Sequence, residues 1–92
     1  KDWQIVIASP YNENPHGEWN TLELICYENH AIHMINGQVN LILLNSTYPE
    51  GGQRKPLTSG RLVLQSEGAV LFFKDIYMKK IDKMPEALKP YL

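Results

Sequence analysis

The chain has 92 residues, a formal net charge of −1 and a single cysteine, which allows one small domain and excludes an internal disulfide. Its hydrophobic fraction of 43% is that of an ordinary folded protein. No stretch approaches the roughly 20 apolar residues that cross a membrane as a helix, and no block of basic residues favours nucleic acid. Cys26 lies in an apolar strand pattern, so we expect it to be a small buried hydrophobe.

Apolar residues recur with a period of two along most of the chain, which predicts strands rather than helices. In chain order the predicted strands are residues 3–8, 20–27, 31–35, 38–44, 61–66 and 69–80. A loop rich in proline and asparagine separates the first two strands, and a long loop at residues 45–59 precedes the fifth. Residues 84–92 are expected to hold about one helical turn, because Pro90 limits a helix there.

Asn36-Gly37 is the strongest hairpin signal in the chain, since both central positions of a type I′ turn need positive φ. A regular two-residue turn predicts the cross-strand pairs Ile35 with Gln38, Met34 with Val39, His33 with Asn40, and Ile32 with Leu41. Successive side chains alternate between the faces of a sheet. We therefore assign Met34, Val39 and their apolar neighbours to the core, and place the His33–Asn40 pair on the opposite face, where it can meet solvent or a ligand.

The segment GRLVLQSEGAVLFFKDI, residues 60–76, reads as two apolar strands joined at QSEG. Glu67-Gly68 is the predicted turn between them. The apolar phase changes beyond Phe73, which predicts a β-bulge near Lys74 and Asp75.

These patterns predict an all-β fold, an antiparallel β-sandwich with about six strands present. Two apolar sheet faces and several exposed edges suit part of a larger sandwich better than a complete small one. We expect residues 1–81 to belong to one sandwich domain and residues 82–92 to be a C-terminal tail.

Two stretches in this order resemble the family of 3-keto-disaccharide hydrolases. Residues 17–39, which begin Gly-Glu-Trp-Asn, are similar to a strand of that family and the Asn-Gly hairpin after it. Residues 57–81 resemble its C-terminal signature, in which Leu-Gln-Ser-Glu-Gly stands between an apolar and an aromatic strand. The resemblance covers residues 17–81.

The resemblance implies a sandwich of the concanavalin A-like, or jelly-roll, type, of which this chain is the C-terminal half. Missing N-terminal strands, or another chain, would complete it. It also implies a carbohydrate as partner and a bacterial protein in an extracytoplasmic location, periplasmic or secreted. It names no cofactor.

Glu67 is the candidate catalytic base, because it is the only carboxylate inside the Leu-Gln-Ser-Glu-Gly signature. The ketone of a 3-keto sugar acidifies the hydrogen at C2, so a positioned base can start elimination of the C1 substituent. Addition of water then completes a net hydrolysis. Such a base needs a pKa raised toward neutrality, which partial burial supplies. The alternative is that Glu67 is an exposed or capping turn residue.

Three other side chains are candidate substrate contacts. Gln65 shares a strand face with Glu67 and can hydrogen-bond sugar hydroxyls through both ends of its amide, and His33 and Asn40 do so from the hairpin. Each can equally be a structural residue. The three histidines match no zinc-binding spacing, so no metal site is predicted. Trp19, between a loop and a strand, is expected to plug the core, with sugar stacking as the alternative.

Three functions remain open from the sequence. The first is a hydrolase or lyase acting on 3-keto-disaccharides or related glycosides. The second is a non-catalytic, lectin-like module, favoured because a conventional glycosidase needs two carboxylates about 5–10 Å apart and none stands near Glu67 at a telling spacing. The third is a structural or partner-binding sandwich, because fold does not determine function.

Overall fold

The computed structural model describes residues 4–7, 11–65, 68 and 70–91. Within them the chain forms six strands and one 3₁₀ helix: β1 (Gln4–Ile7), β2 (Leu22–Tyr27), β3 (His30–Ile35), β4 (Gln38–Leu44), β5 (Thr47–Glu50), β6 (Gln53–Pro56) and the helix Glu86–Tyr91. Every strand pair is antiparallel. The predicted all-β antiparallel fold with six strands is confirmed, although two of the strands lie elsewhere than predicted.

Four strands form one sheet in the order β1-β4-β3-β2. The predicted Asn-Gly turn joins β3 to β4, with φ of 51° at Asn36 and 79° at Gly37. Next to the turn the register is the predicted one, because Ile35 pairs with Gln38 and the following residues pair in step. The turn chemistry therefore determines the start of this hairpin.

The register of the same hairpin shifts beyond Met34, where Asn40 is an extra residue on β4. His33 pairs with Leu41, and Ile32 pairs with Ile42. The predicted pairs His33–Asn40 and Ile32–Leu41 are therefore wrong. The apolar run of residues 41–44 explains the error, because a shift of one residue leaves an apolar side chain on either face, so hydrophobic alternation cannot specify the register there.

The core lies on one face of this sheet, which we call the core face. Its buried side chains are Ile32, Val39, Ile42, Met84 and Leu88, against which Ile25, Tyr27, Met34 and Leu44 pack. Met84 and Leu88 come from the end of the chain, which therefore covers the core face. The predicted helical turn after Pro85 is present as a 3₁₀ helix, but the helix extends through Pro90, so the expected limit at that residue is wrong. The residues expected to form a tail supply part of the core.

The second face of the sheet, which we call the open face, is apolar but largely uncovered. By strand alternation it carries Ile5, Leu22, Leu24, Cys26, Ala31, His33, Ile35, Leu41 and Leu43. The prediction that Cys26 is buried is wrong, because the residue is exposed on this face. Its thiol is nevertheless partly desolvated, which raises its pKa.

Residues 45–59, predicted as a loop, contain a second small sheet in which β5 pairs with β6. The turn between them is Gly51-Gly52, with positive φ at both positions. Gly-Gly is a known signal for a two-residue hairpin. The prediction missed it because Pro49 and Pro56 lie in the two flanking segments, and proline demotes a strand assignment.

The two predicted C-terminal strands are absent from the described part of the chain. Residues 57–65 and 70–80 contain no strand, whereas Ser66, Glu67 and Ala69 lie outside the described residues. None of the strands in the described part of the chain pairs with this segment, and a strand needs a partner for its backbone hydrogen bonds. At Asp75, where a bulge was predicted, the backbone bends with φ of 53°.

The segment also leaves its apolar side chains in solvent, with Val70 82% and Phe72 78% exposed. The accessible surface of the molecule is 7923 Å², whereas a compact chain of this mass exposes roughly 5,500 Å². The radius of gyration of 14.8 Å likewise exceeds the roughly 12 Å of a compact chain of this length. Much apolar surface therefore remains unburied.

Candidate functional site: an open cleft beside the sheet

A broad, open cleft, lined by about half of the chain, lies between the sheet and residues 57–65 and 70–81. Its lining includes polar side chains from three parts of the chain: Trp19 from the first loop, His33 and Asn40 from the hairpin, and Gln65 and Lys74 from the C-terminal segment. All three predicted substrate contacts therefore line one cleft. Whether they contact a substrate stays a prediction.

His33 stands on β3 with apolar neighbours, paired with Leu24 of β2 on one side and Leu41 of β4 on the other. It is half-buried, and desolvation lowers its pKa below 6.5. The imidazole is consequently neutral near pH 7. A neutral imidazole donates one hydrogen bond and accepts another, which suits contact with a hydroxyl group.

Asn40 is the extra residue of the β4 bulge. Its side-chain oxygen Oδ1 is buried and has no hydrogen-bond partner among the described residues. A buried acceptor without a partner is uncommon and costs free energy unless water or a ligand supplies a donor. Bulges occur frequently next to active sites, where they redirect a side chain. Asn40 thus lines the cleft and also carries a buried acceptor without a partner among the described residues.

Trp19 is exposed to 54%, so the prediction that it plugs the core is wrong. It lies in the loop of residues 11–20, which asparagine side chains brace from within. Asn14 Nδ2 donates to the carbonyl oxygen of Trp19 at 2.8 Å, and the backbone N–H of Asn14 donates to Asn20 Oδ1 at 2.7 Å. These bonds stabilise the loop in the shape that presents the indole.

Asn36 ties the same loop to the hairpin turn. Its Nδ2 donates to Asn20 Oδ1 at 2.9 Å and to the carbonyl oxygen of Asn12 at 2.8 Å. Its Oδ1 accepts the backbone N–H of Thr21 at 3.0 Å. One residue therefore supplies both the positive φ of the turn and the attachment of the loop that carries Trp19.

Lys74 reaches the tryptophan from the opposite wall of the cleft. Its ammonium nitrogen Nζ lies 4.2 Å from the centroid of the Trp19 ring, a cation–π contact. No sequence pattern predicted the role of Lys74, because Lys74 and Trp19 are far apart in the sequence and meet only in the folded chain. For Trp19, the proline and glycine residues of its loop argued for an exposed position.

Gln65 is exposed and lines the cleft from the C-terminal segment. Glu67, the predicted base, follows it by two positions in the sequence and lies outside the described residues. Among the residues that the structure describes, no group of three or more His, Cys, Asp and Glu side chains could hold a metal ion. The described chain also contains no helix long and apolar enough to span a membrane.

The fold and the cleft define an all-β protein with a binding-site candidate beside one antiparallel sheet. Residues 1–79 match the family described as the 3-keto-alpha-glucoside-1,2-lyase-like domain. The chain belongs to this family, whose name is carbohydrate-related, and the resemblance found in the sequence is confirmed. A search of curated proteins gave no significant match, and a search of solved structures gave none.

Proposed function

We propose that the protein is a hydrolase of 3-keto-disaccharides or related 3-keto-glycosides, acting by elimination and hydration. Glu67 is the proposed base, and Gln65, His33 and Asn40 are the proposed substrate contacts. Family membership supports the substrate class, since the family description itself names a 3-keto-alpha-glucoside and a 1,2-lyase.

In the proposed reaction the base removes the proton at C2, which the adjacent C3 ketone acidifies. The electron pair forms the C1–C2 double bond as the C1–O bond breaks, and the departing alkoxide takes up a proton. Water then adds to C1 and a proton returns to C2, giving net hydrolysis. One carboxylate and several hydrogen-bond donors are enough, unlike the carboxylate pair of conventional glycosidases.

The observation that carries the proposal is that Gln65, His33 and Asn40 all line the broad cleft beside the sheet. The side chains come from two distant parts of the chain, and together they offer an amide, a neutral imidazole and an unpartnered acceptor. Sites for small molecules combine apolar and hydrogen-bonding side chains in one depression, and this cleft contains both kinds.

The test is turnover of p-nitrophenyl 3-keto-α-glucoside by the protein and by Glu67→Gln. Loss of a general base costs roughly 10²–10⁴-fold in kcat, so we expect at least a hundredfold loss. The matched control is Glu50→Gln, which changes an exposed carboxylate outside the cleft that accepts a hydrogen bond from Tyr48. Equal kcat in wild type and Glu67→Gln would remove Glu67 from the mechanism.

A lectin-like function is the second candidate, and the exposed Trp19 favours it. Aromatic rings that present one apolar face beside hydrogen-bonding groups suit the binding of sugars without chemistry. Calorimetry with methyl 3-keto-α-glucoside separates the two candidates. Binding without turnover by the wild-type protein would favour the module; binding with turnover supports the hydrolase.

We also propose that a second β-layer, contributed by further strands of the polypeptide or by another chain, completes the sandwich on the side of the open face. The cleft with His33 lies on this same face, so the layer has to leave the cleft accessible. The uncovered apolar residues of that face and of residues 57–80 support it. The whole molecule exposes roughly 2,400 Å² more than a compact chain of its mass, and this excess includes the C-terminal segment as well as the open face.

An extracytoplasmic location, periplasmic or secreted, is proposed from family membership alone. The test is fractionation of the bacterium that carries the natural gene, with immunodetection of the protein. Recovery with cytoplasmic markers would contradict this proposal and leave the proposed chemistry untouched.

A further inference from the structure

Trp19 is one of several exposed aromatic residues that line the cleft, of which Phe72 and Tyr77 are more exposed. It lines the cleft together with the three proposed substrate contacts, and 54% of it is exposed. Leaving an indole in water forgoes a large gain from burial. Nevertheless, the hydrogen bonds of Asn14, Asn20 and Asn36 stabilise its loop in this outward position.

A charged side chain stands over the ring. Lys74 Nζ stands 4.2 Å from the ring centroid, over the face on which a pyranose would stack. At an exposed site a cation–π contact contributes roughly 0.5–1 kcal/mol. A ligand that binds the ring more strongly than the ammonium group does can therefore displace Lys74.

We propose that Trp19 is the stacking platform for the pyranose ring of the ligand, and that Lys74 is a displaceable cover on that platform. The proposal rests on the proposed carbohydrate function and deepens it, because it assigns a binding role to two residues outside the predicted site. Sugar binding displaces the ammonium group from the ring, and the apolar face of the pyranose takes its place.

Fluorescence of the single remaining tryptophan tests the platform. The sequence contains two tryptophans, Trp3 and Trp19, so Trp3→Phe leaves Trp19 as the only indole. Titration of this variant with methyl 3-keto-α-glucoside should change its emission in a saturable way. The dissociation constant should agree with that from calorimetry on the wild-type protein.

Substitution tests the same platform by affinity. Trp19→Ala should weaken binding of the glucoside at least tenfold by calorimetry. Tyr11→Ala is the matched control, because Tyr11 is a 92% exposed aromatic residue that does not line the cleft. It should leave affinity unchanged. A Trp19→Ala variant that is folded by circular dichroism and binds as tightly as wild type would overturn the platform.

Removal of the cover has an effect of the opposite sign. Lys74→Ala should bind the glucoside roughly two- to fivefold more tightly, because the ligand no longer displaces the cation. Lys55→Ala, at an exposed lysine of β6 outside the cleft, should not change affinity. Unchanged or weaker binding by Lys74→Ala would overturn the role of Lys74 as a cover.

These outcomes are distinguishable from failure of the proposed function. If the wild-type protein shows neither calorimetric binding nor turnover of 3-keto-glucosides, the carbohydrate function fails. If it binds or turns over the sugar while Trp19 emission and the Trp19→Ala affinity do not respond, only the platform fails.

Discussion

His33 shows how position within a sheet changes the chemistry of a single side chain. It is surrounded by apolar partners on the neighbouring strands, and desolvation lowers its pKa. A strand pattern places a histidine on a face but does not show how much of that face is covered. The neutral state of His33 near pH 7 is therefore a property of the tertiary structure.

The lowered pKa predicts how stability depends on pH. The unfolded chain takes up the proton at its ordinary pKa of 6.5, above the pKa in the folded state. The contribution of His33 to the free energy of unfolding is thus fully present above pH 6.5, and it is lost as the pH falls through the folded-state pKa. We expect the urea midpoint of the wild-type protein to decrease as the pH falls below 6.5, and the midpoint of His33→Gln to decrease less.

His16→Gln is the control for this measurement, because it removes an exposed histidine from the first loop. Its midpoint should follow the wild-type pH dependence. The midpoints are compared between about pH 8 and about pH 5, a range that includes the ordinary histidine pKa. Parallel pH profiles of His33→Gln and the wild-type protein would contradict the prediction.

At the scale of elements, the hairpin between β3 and β4 combines a turn that follows local chemistry with a register that does not. Asn36-Gly37 adopts the backbone conformation that its sequence demands. A few residues later, Asn40 enters as an extra residue and exchanges the faces of the residues that follow. The turn and the bulge can therefore be tested separately, each with its own variants.

Gly37→Ala should destabilise the protein by about 1–2 kcal/mol, because an L-residue at φ of 79° is strained. Gly60→Ala is the matched control. A Cβ at either position meets nothing within 4 Å, but only Gly37 has positive φ. Urea denaturation measures both, and equal stability of the two variants would show that the turn is not strained by alanine.

The bulge predicts different costs for two adjacent truncations. Ile42 is 3% exposed on the core face, so Ile42→Ala should cost about 2–5 kcal/mol, as other buried truncations do. Leu41, which a regular hairpin would have buried, is only partly buried, and Leu41→Ala should cost less than half as much. A larger loss of stability for Leu41→Ala than for Ile42→Ala would contradict the bulge and support the regular register.

At the scale of the whole molecule, the sheet is closed on one side and open on the other. Met84 and Leu88 cover the core face, whereas Leu22 and Leu24 of the open face are 62% and 40% exposed. Proteins rarely leave large contiguous apolar patches without an interaction partner. The proposed second layer would bury apolar residues that the open face now exposes.

The open face predicts strong binding of anilinonaphthalene sulfonate, a dye that reports exposed apolar surface. Replacing Leu22 and Leu24 together by serine should reduce dye fluorescence and change the free energy of unfolding by about 1 kcal/mol or less. The matched core-face variant, Ile32→Ser with Ile42→Ser, should unfold the protein, because both side chains are buried.

Sedimentation velocity decides what covers the face. A dimer would assign the cover to a second copy, and a dye-binding monomer would assign it to further strands of the polypeptide. A monomer that unfolds cooperatively and binds no dye would contradict the proposed second layer.

The sequence by itself determined the fold class, the family, the Asn-Gly turn and the helical turn after Pro85. These depend on hydrophobic period, positive φ and proline geometry, all of which act within a few residues. It also indicated Gln65, His33 and Asn40, which the structure brings to one cleft.

Only the tertiary structure decided the bulge at Asn40, the exposure of Cys26 and Trp19, and the contact of Lys74 with the indole. The run Leu41–Leu44 is apolar at every position, so burial favours neither register from the sequence alone. The apolar alternation of residues 61–80 similarly predicted strands, but a strand exists only where another strand accepts its hydrogen bonds. Whether local pattern becomes structure depends on such partners, which a linear sequence does not place.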